Sequence, residues 1–118
     1  MKEENLIRIK SFSFAVRIVK LSKYLRKDKR EFILSKQILR SGTSIGANIE
    51  EAIGGQSRND FASKISIAYK EARETRYWIE LLKETDYLNL KQTQSLLTDC
   101  EEPLRIIGSI KKTTHNNS

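Results

Sequence analysis

Apolar residues recur along this chain at spacings of three and four, the period of one helix face. The cleanest run is Phe61, Ile65, Ala68, Ala72, Thr75, Ile79 and Leu82, which predicts a helix over about 58–85. Ile7, Phe14, Ile18, Leu21 and Leu25 predict another over about 5–27. Leu34, Ile38, Ile45, Ile49 and Ala52 predict a third over about 29–53. Leu97, Cys100, Leu104 and Ile107 predict a fourth over about 90–112. Pro103 falls inside that last pattern and lacks an amide, so a kink or break is expected there. Residues 113–118 are polar and are expected to fray.

Helix starts carry their own signal. Asp28-x-x-Glu31, Ser57-x-x-Asp60 and Asn89-x-x-Gln92 each set a capping side chain three residues before an acid or amide. That spacing satisfies free amides at a helix start. Gly54-Gly55 suits a helix end. Four helices of about 25 residues would each be about 37 Å long, and short connections force neighbours to run antiparallel. The expected fold is therefore all-α, an antiparallel up-down-up-down four-helix bundle forming a single domain over residues 1–118.

Two features exceed what one bundle core requires. The first helix has a second apolar seam, Ile9, Phe12, Val16 and Val19, so either it is deeply buried or it also faces another subunit. In the second helix, Gly42 and Gly46 lie one turn apart, where each costs up to ~1 kcal/mol against alanine. Close approach of another helix is the compensation expected from such spacing. Asn48 falls beside Ile45, Ile49 and Ala52 and needs a hydrogen-bond partner.

That stretch also carries a resemblance. Ser44-Ile45-x-x-Asn48-Ile49-x-Glu51-Ala52, followed by Gly54-Gly55, Ser57, Phe61, Ala68 and Glu74-Thr75, is similar to the signature of bacterial four-helix-bundle proteins named for intervening sequences of 23S rRNA genes. The match covers roughly residues 12–110. The same family includes the accessory protein of diversity-generating retroelements. The resemblance implies homopentameric assembly and no enzymatic activity. For the retroelement member it implies a positively charged surface that binds nucleic acid and a reverse transcriptase. By the same resemblance Ser44, Asn48, Glu51 and Glu74 are expected to pack helices or subunits, as the spacing of Gly42 and Gly46 implies for those two, and Arg40 belongs to the basic segment before the motif. Gly42 and Gly46 stand where relatives often carry alanine and proline.

Composition narrows the function. Charged residues make up 31% and hydrophobic residues 38% of 118, with one proline, as befits a helical domain with apolar stripes. No apolar run exceeds three residues, so no membrane-spanning helix is expected. The start, Met1-Lys2-Glu3-Glu4-Asn5, lacks a signal core, and a cytoplasmic location is expected. The single Cys100 cannot form an internal disulfide and lies on an apolar seam, where cysteine behaves as a small hydrophobe. A di-iron bundle needs Glu-x-x-His pairs, yet the only histidine is His115, in the tail. Glu51, Glu71 and Glu74 are read as polar contacts instead. Gly54-Gly55-Gln56-Ser57 lacks the lysine and spacing of a phosphate loop. No enzyme, cofactor or metal is expected.

The net charge of +7 arises almost wholly in residues 1–30, which hold ten Lys/Arg against three acids. Lys10, Arg17, Lys20 and Lys27 share a helix arc, with Lys23, Lys29 and Arg30 nearby. A one-sided basic field favours a polyanion. The expected function is a non-enzymatic oligomeric scaffold binding the nucleic-acid backbone, RNA before DNA, through Lys10, Arg17, Lys20, Lys23, Lys27, Arg30 and Arg40. The alternatives are a module recruiting a protein partner such as a reverse transcriptase, with Tyr69, Tyr77 and Trp78 as interface anchors, or an orphan self-assembling bundle.

Overall fold

Each apolar run forms a helix. In the computed structural model, which describes residues 2–116 with side chains as far as Thr114, α1 spans Lys2–Lys27, α2 Leu34–Ile53, α3 Arg58–Glu84 and α4 Leu90–Asn116. No strand occurs among the described residues. The core is one continuous cluster drawn from all four helices, with Ile18, Leu25, Ile38, Ile45, Ile49, Ile79, Leu82 and Ile107 fully enclosed.

Cross-helix contacts pair the start of one helix with the end of the next. Arg8 meets Glu50 and Ser22 meets Ser35 across α1 and α2. Ser41 meets Thr75, and Glu51 meets Lys64, across α2 and α3. Cys100 meets Ala72, and Lys111 meets Tyr69, across α3 and α4. Glu3 meets Ser109, and Lys10 meets Glu102, across α1 and α4. Neighbours therefore run antiparallel, and the four rods close into a bundle 46 × 22 × 18 Å.

The glycines of α2 make close approach possible. A Cβ on Gly42 would lie 2.7 Å from Ile18 Cγ2, while one on Gly46 would lie 3.4 Å from the Ser11 carbonyl. The first position is closed to any side chain, and the second is in ordinary contact distance of α1.

Three boundaries differ from the sequence reading. The second helix begins at Leu34 rather than residue 29, because the backbone of the Asp28–Glu31 segment first closes the end of α1. Arg30 takes a left-handed backbone (φ 56°), and the Glu31 amide donates to the Leu25 carbonyl at 2.9 Å, which satisfies a free acceptor at the end of α1. Glu31 then turns inward and accepts the Ser35 amide at 2.8 Å, which satisfies a free donor of α2. The fourth helix is not broken at Pro103, whose ring is buried beside Leu104, Ile106 and Ile107. It also continues past residue 112 to Asn116, where Lys111 and Thr114 line a cavity shared with Arg58 and Asn59 at the start of α3. Residues 117 and 118, the remainder of the expected frayed tail, lie outside the described residues.

The other two caps form as spaced. Asn89 and Gln92 exchange hydrogen bonds of 2.8 and 2.9 Å, and Ser57 Oγ accepts the Asp60 amide at 3.0 Å.

Candidate nucleic-acid interface

The basic residues expected to share one arc are divided by the fold. Positions 10 and 27 are about 100° apart around a helix, and α4 covers the side bearing Lys10 and Arg17. Lys10 Nζ lies 3.2 Å from Glu102. Arg17 reaches Asp99 at 2.6 Å and donates to the Ser95 carbonyl and hydroxyl at 3.1 and 2.8 Å. These two cations hold α1 to α4. Arg40 is likewise engaged, bridging Glu71 at 3.0 Å and Glu74 across the α2–α3 seam. Trp78 Nε1 donates to the same Glu74 carboxylate at 2.9 Å.

What remains is a cluster at one end of the bundle. Lys20, Lys23, Lys27 and Arg30 form no ion pair among the described residues, and each is exposed. Arg26 adds a cation whose Nε donates to the Ser22 carbonyl at 3.3 Å. Lys29 Nζ sits 6.0 Å from the Tyr24 ring centroid, and the Arg30 guanidinium 5.8 Å from that of Phe32. The nearest acids in sequence are Asp28, which is exposed, and Glu31, which is turned inward. Cations in the last turn of α1 also oppose the negative end of its dipole.

The residues expected to pack helices take separate roles. Gly42 and Gly46 admit α1, as above. Glu51 pairs with Lys64 at 3.1 Å and Glu74 with Arg40, so both span α2 and α3. Ser44 and Asn48 bond within α2 instead, to the carbonyls of Arg40 and Ser44 at 2.7 and 2.8 Å. Asn48 therefore finds its partner one turn back rather than across a seam. Tyr69 and Trp78 pack on the core, whereas Tyr77 stands edge-on to Trp78 and stays exposed.

Comparison with known proteins decides the lineage. The model of the 23S rRNA-intervening sequence protein family matches residues 3–109. The chain belongs to that family. A crystal structure at 1.70 Å of a family-related protein, of unknown function and from the S23 ribosomal protein family of Bacteroides thetaiotaomicron, is 53% identical. It superimposes with a TM-score of 0.92 over 93% of this chain and 98% of that one. No curated protein matches the chain.

In this member of the 23S rRNA-intervening sequence protein family, two exposed apolar features lie on α1 and in the turn after it. One is the outer face of α1, where Ile9 and Phe12 are 62% and 69% exposed, flanked by Leu6 and Val16. It adjoins a shallow groove lined by Ala15, Gly46 and Ala47. The other is Phe32 and Ile33, 52% and 73% exposed, in the turn before α2. Sequence reasoning placed that pair inside a helix and so missed it. The signal available was an Asp28–Glu31 pair too close to the end of the preceding helix.

Among the described residues no cluster of three His, Cys, Asp or Glu side chains converges to hold a metal, and the side chain of His115 lies outside them. No described helix is long and apolar enough to cross a membrane. Cys100 is enclosed, its Sγ 3.5 Å from the Ala72 carbonyl. Burial pushes its thiol from 9.0 up to about 12, with nearby Arg76 opposing the rise and Glu101 adding to it. The folded thiol therefore keeps its proton where the unfolded one loses it. The stability this contributes is intact below pH 9 and drains as pH rises towards 12. We predict that the stability advantage of the protein over a Cys100→Ala variant falls between those limits by about 1.4 kcal/mol per pH unit. Urea unfolding of both proteins at paired pH values measures it.

Proposed function

We propose that this protein is a non-enzymatic, self-assembling cytoplasmic scaffold that binds the phosphate backbone of nucleic acid through the end of α1. The observation that carries the reading is the unpaired cluster of Lys20, Lys23, Lys27 and Arg30, extended by Arg26 and Lys29. Contact with phosphates of this kind is sequence-tolerant and driven by release of counterions. Lys10, Arg17 and Arg40 act as structural cations in this account, because each already holds a carboxylate. The family's name couples it to 23S rRNA, which supports RNA as the polyanion. Self-assembly is supported by the apolar outer face of α1, and five copies is the number implied by the resemblance of the Ser44–Ala52 motif.

Binding of a duplex RNA across a salt series tests the reading. Changing Lys20, Lys23, Lys27 and Arg30 together to Gln should flatten the slope of log K against log salt by roughly 3.5, the duplex value for four lost phosphate contacts. Changing Lys10 and Arg17 to Gln should leave that slope unaltered while lowering stability. Absence of binding at low salt, or equal slopes for the protein and the fourfold variant, refutes the proposal.

A further inference from the structure

We infer that the basic end of the bundle takes single-stranded nucleic acid, with an unpaired base stacked on Phe32. The inference rests on the backbone-binding reading above and adds to it a base contact and a choice of strand state.

Three observations converge on Phe32. First, folding gives no account of its exposure. The left-handed turn at Arg30 and the inward anchor of Glu31 leave the next two side chains, Phe32 and Ile33, projecting into solvent. Ile33 occupies the N-cap of α2 and makes no capping bond, in a position where Ser, Thr, Asp or Asn is strongly preferred. The site is thus spent on two apolar side chains that bury nothing in the core. Second, the ring carries a cation beside it and keeps an open surface. The Arg30 guanidinium stands over it at 5.8 Å, and half of its surface stays open. Third, the ring follows a run of cations in the chain. Lys20, Lys23 and Lys27 lie on one arc of α1 with a rise of about 10 Å from first to last, and Arg30, next in the chain, stands over the ring.

An aromatic ring that follows a cationic track is the arrangement that single strands require, because every base has a face to stack and every phosphate a charge to meet. Paired bases inside a duplex offer no such face. A membrane surface fits less well, since a headgroup plane at the tip would leave the lysines along α1 behind. The same cations repel a second copy of this end.

Fluorescence anisotropy of labelled oligouridine, oligothymidine, duplex RNA and an abasic strand tests the inference at low salt, with anionic phosphatidylserine vesicles as a further arm. Phe32→Ala should weaken both base-bearing single strands about tenfold. Duplex and abasic strand should change less than twofold, and Phe32→Trp should restore the loss. A stronger effect on oligouridine than on oligothymidine assigns the site to RNA within the same proposal. If Phe32→Ala weakens all probes alike or none of them, the stacking inference fails while backbone binding stands. If the unaltered protein binds no nucleic acid, both fail. Vesicle binding that depends on Phe32, without an oligonucleotide effect, overturns the inference in favour of a lipid surface. Phe32 is solvent-facing, so thermal unfolding of the variants should match that of the protein.

Discussion

Placing leucine at Gly42 should destabilise the protein by about 3 kcal/mol, near the upper end of overpacking costs in a dense interior. A mere Cβ there would sit 2.7 Å from Ile18 Cγ2 and 2.8 Å from Cγ1. Ile18 is fully enclosed and branched at Cβ, so it has no alternative rotamer to retreat into. Relief requires α1 to move outward, which loosens the Ser22–Ser35 bond and the shared core. Gly42→Ala should already destabilise, because the clash outweighs the ~1 kcal/mol that alanine contributes to helix propensity. Shrinking the partner should reverse part of the penalty, so Ile18→Ala combined with Gly42→Ala should cost less than the sum of the two changes. Gly46→Ala should go the other way, stabilising by about 0.5–1 kcal/mol, since its new Cβ meets only ordinary contacts. Chemical denaturation of the five variants, the single Ile18→Ala included, settles the comparison. Equal responses at positions 42 and 46 would show that the helix approach is not what these glycines serve.

If copies assemble through the outer face of α1 as proposed, changing Ile9 and Phe12 to Glu should leave single chains. Both side chains stand on the outer face of α1, away from its buried row of Ile7, Phe14, Ile18, Leu21 and Leu25. Two carboxylates in the centre of an apolar contact would each be desolvated without a partner, at a cost of several kcal/mol apiece. Because neither residue serves the core, helix content should persist. Light scattering on the purified protein and its variant reads the mass. A protein already monomeric, or a variant retaining its assembled mass, would rule out this face as the contact. The charge-bearing end lies along the same helix beyond Val16, so assembly would bring several cation clusters near one another and raise avidity for a long polyanion.

The helices were legible because their buried rows keep a strict period. Every member of the α3 row from Ile65 to Leu82 is buried, and Phe61 packs beside them. α4 was read less well. Leu97 was taken as its first inward position, whereas Leu96 is the buried one and Leu97 packs at the margin. Two adjacent leucines carry no period of their own. The charged face was legible only as composition. Lys10 and Arg17 match Lys20 and Lys27 in kind, and only the position of α4, with Asp99 and Glu102 presented at the right height, separates paired cations from free ones. Non-local ion pairs of this sort leave no local trace. The turn at Arg30 was hidden for another reason: a left-handed arginine is disfavoured by sterics, and the bonds of Glu31 to Leu25 and Ser35 override that preference.

The contact between Glu3 and Ser109, 3.0 Å across the first and last helices, has a practical corollary. An even number of antiparallel rods returns the polypeptide to the level from which it set out. A fluorophore or affinity handle attached near either extremity would emerge about one helix length from Phe32 and the lysine track. Reporters so placed leave the proposed binding end unobstructed, and they set a long, rigid lever between label and any ligand held there.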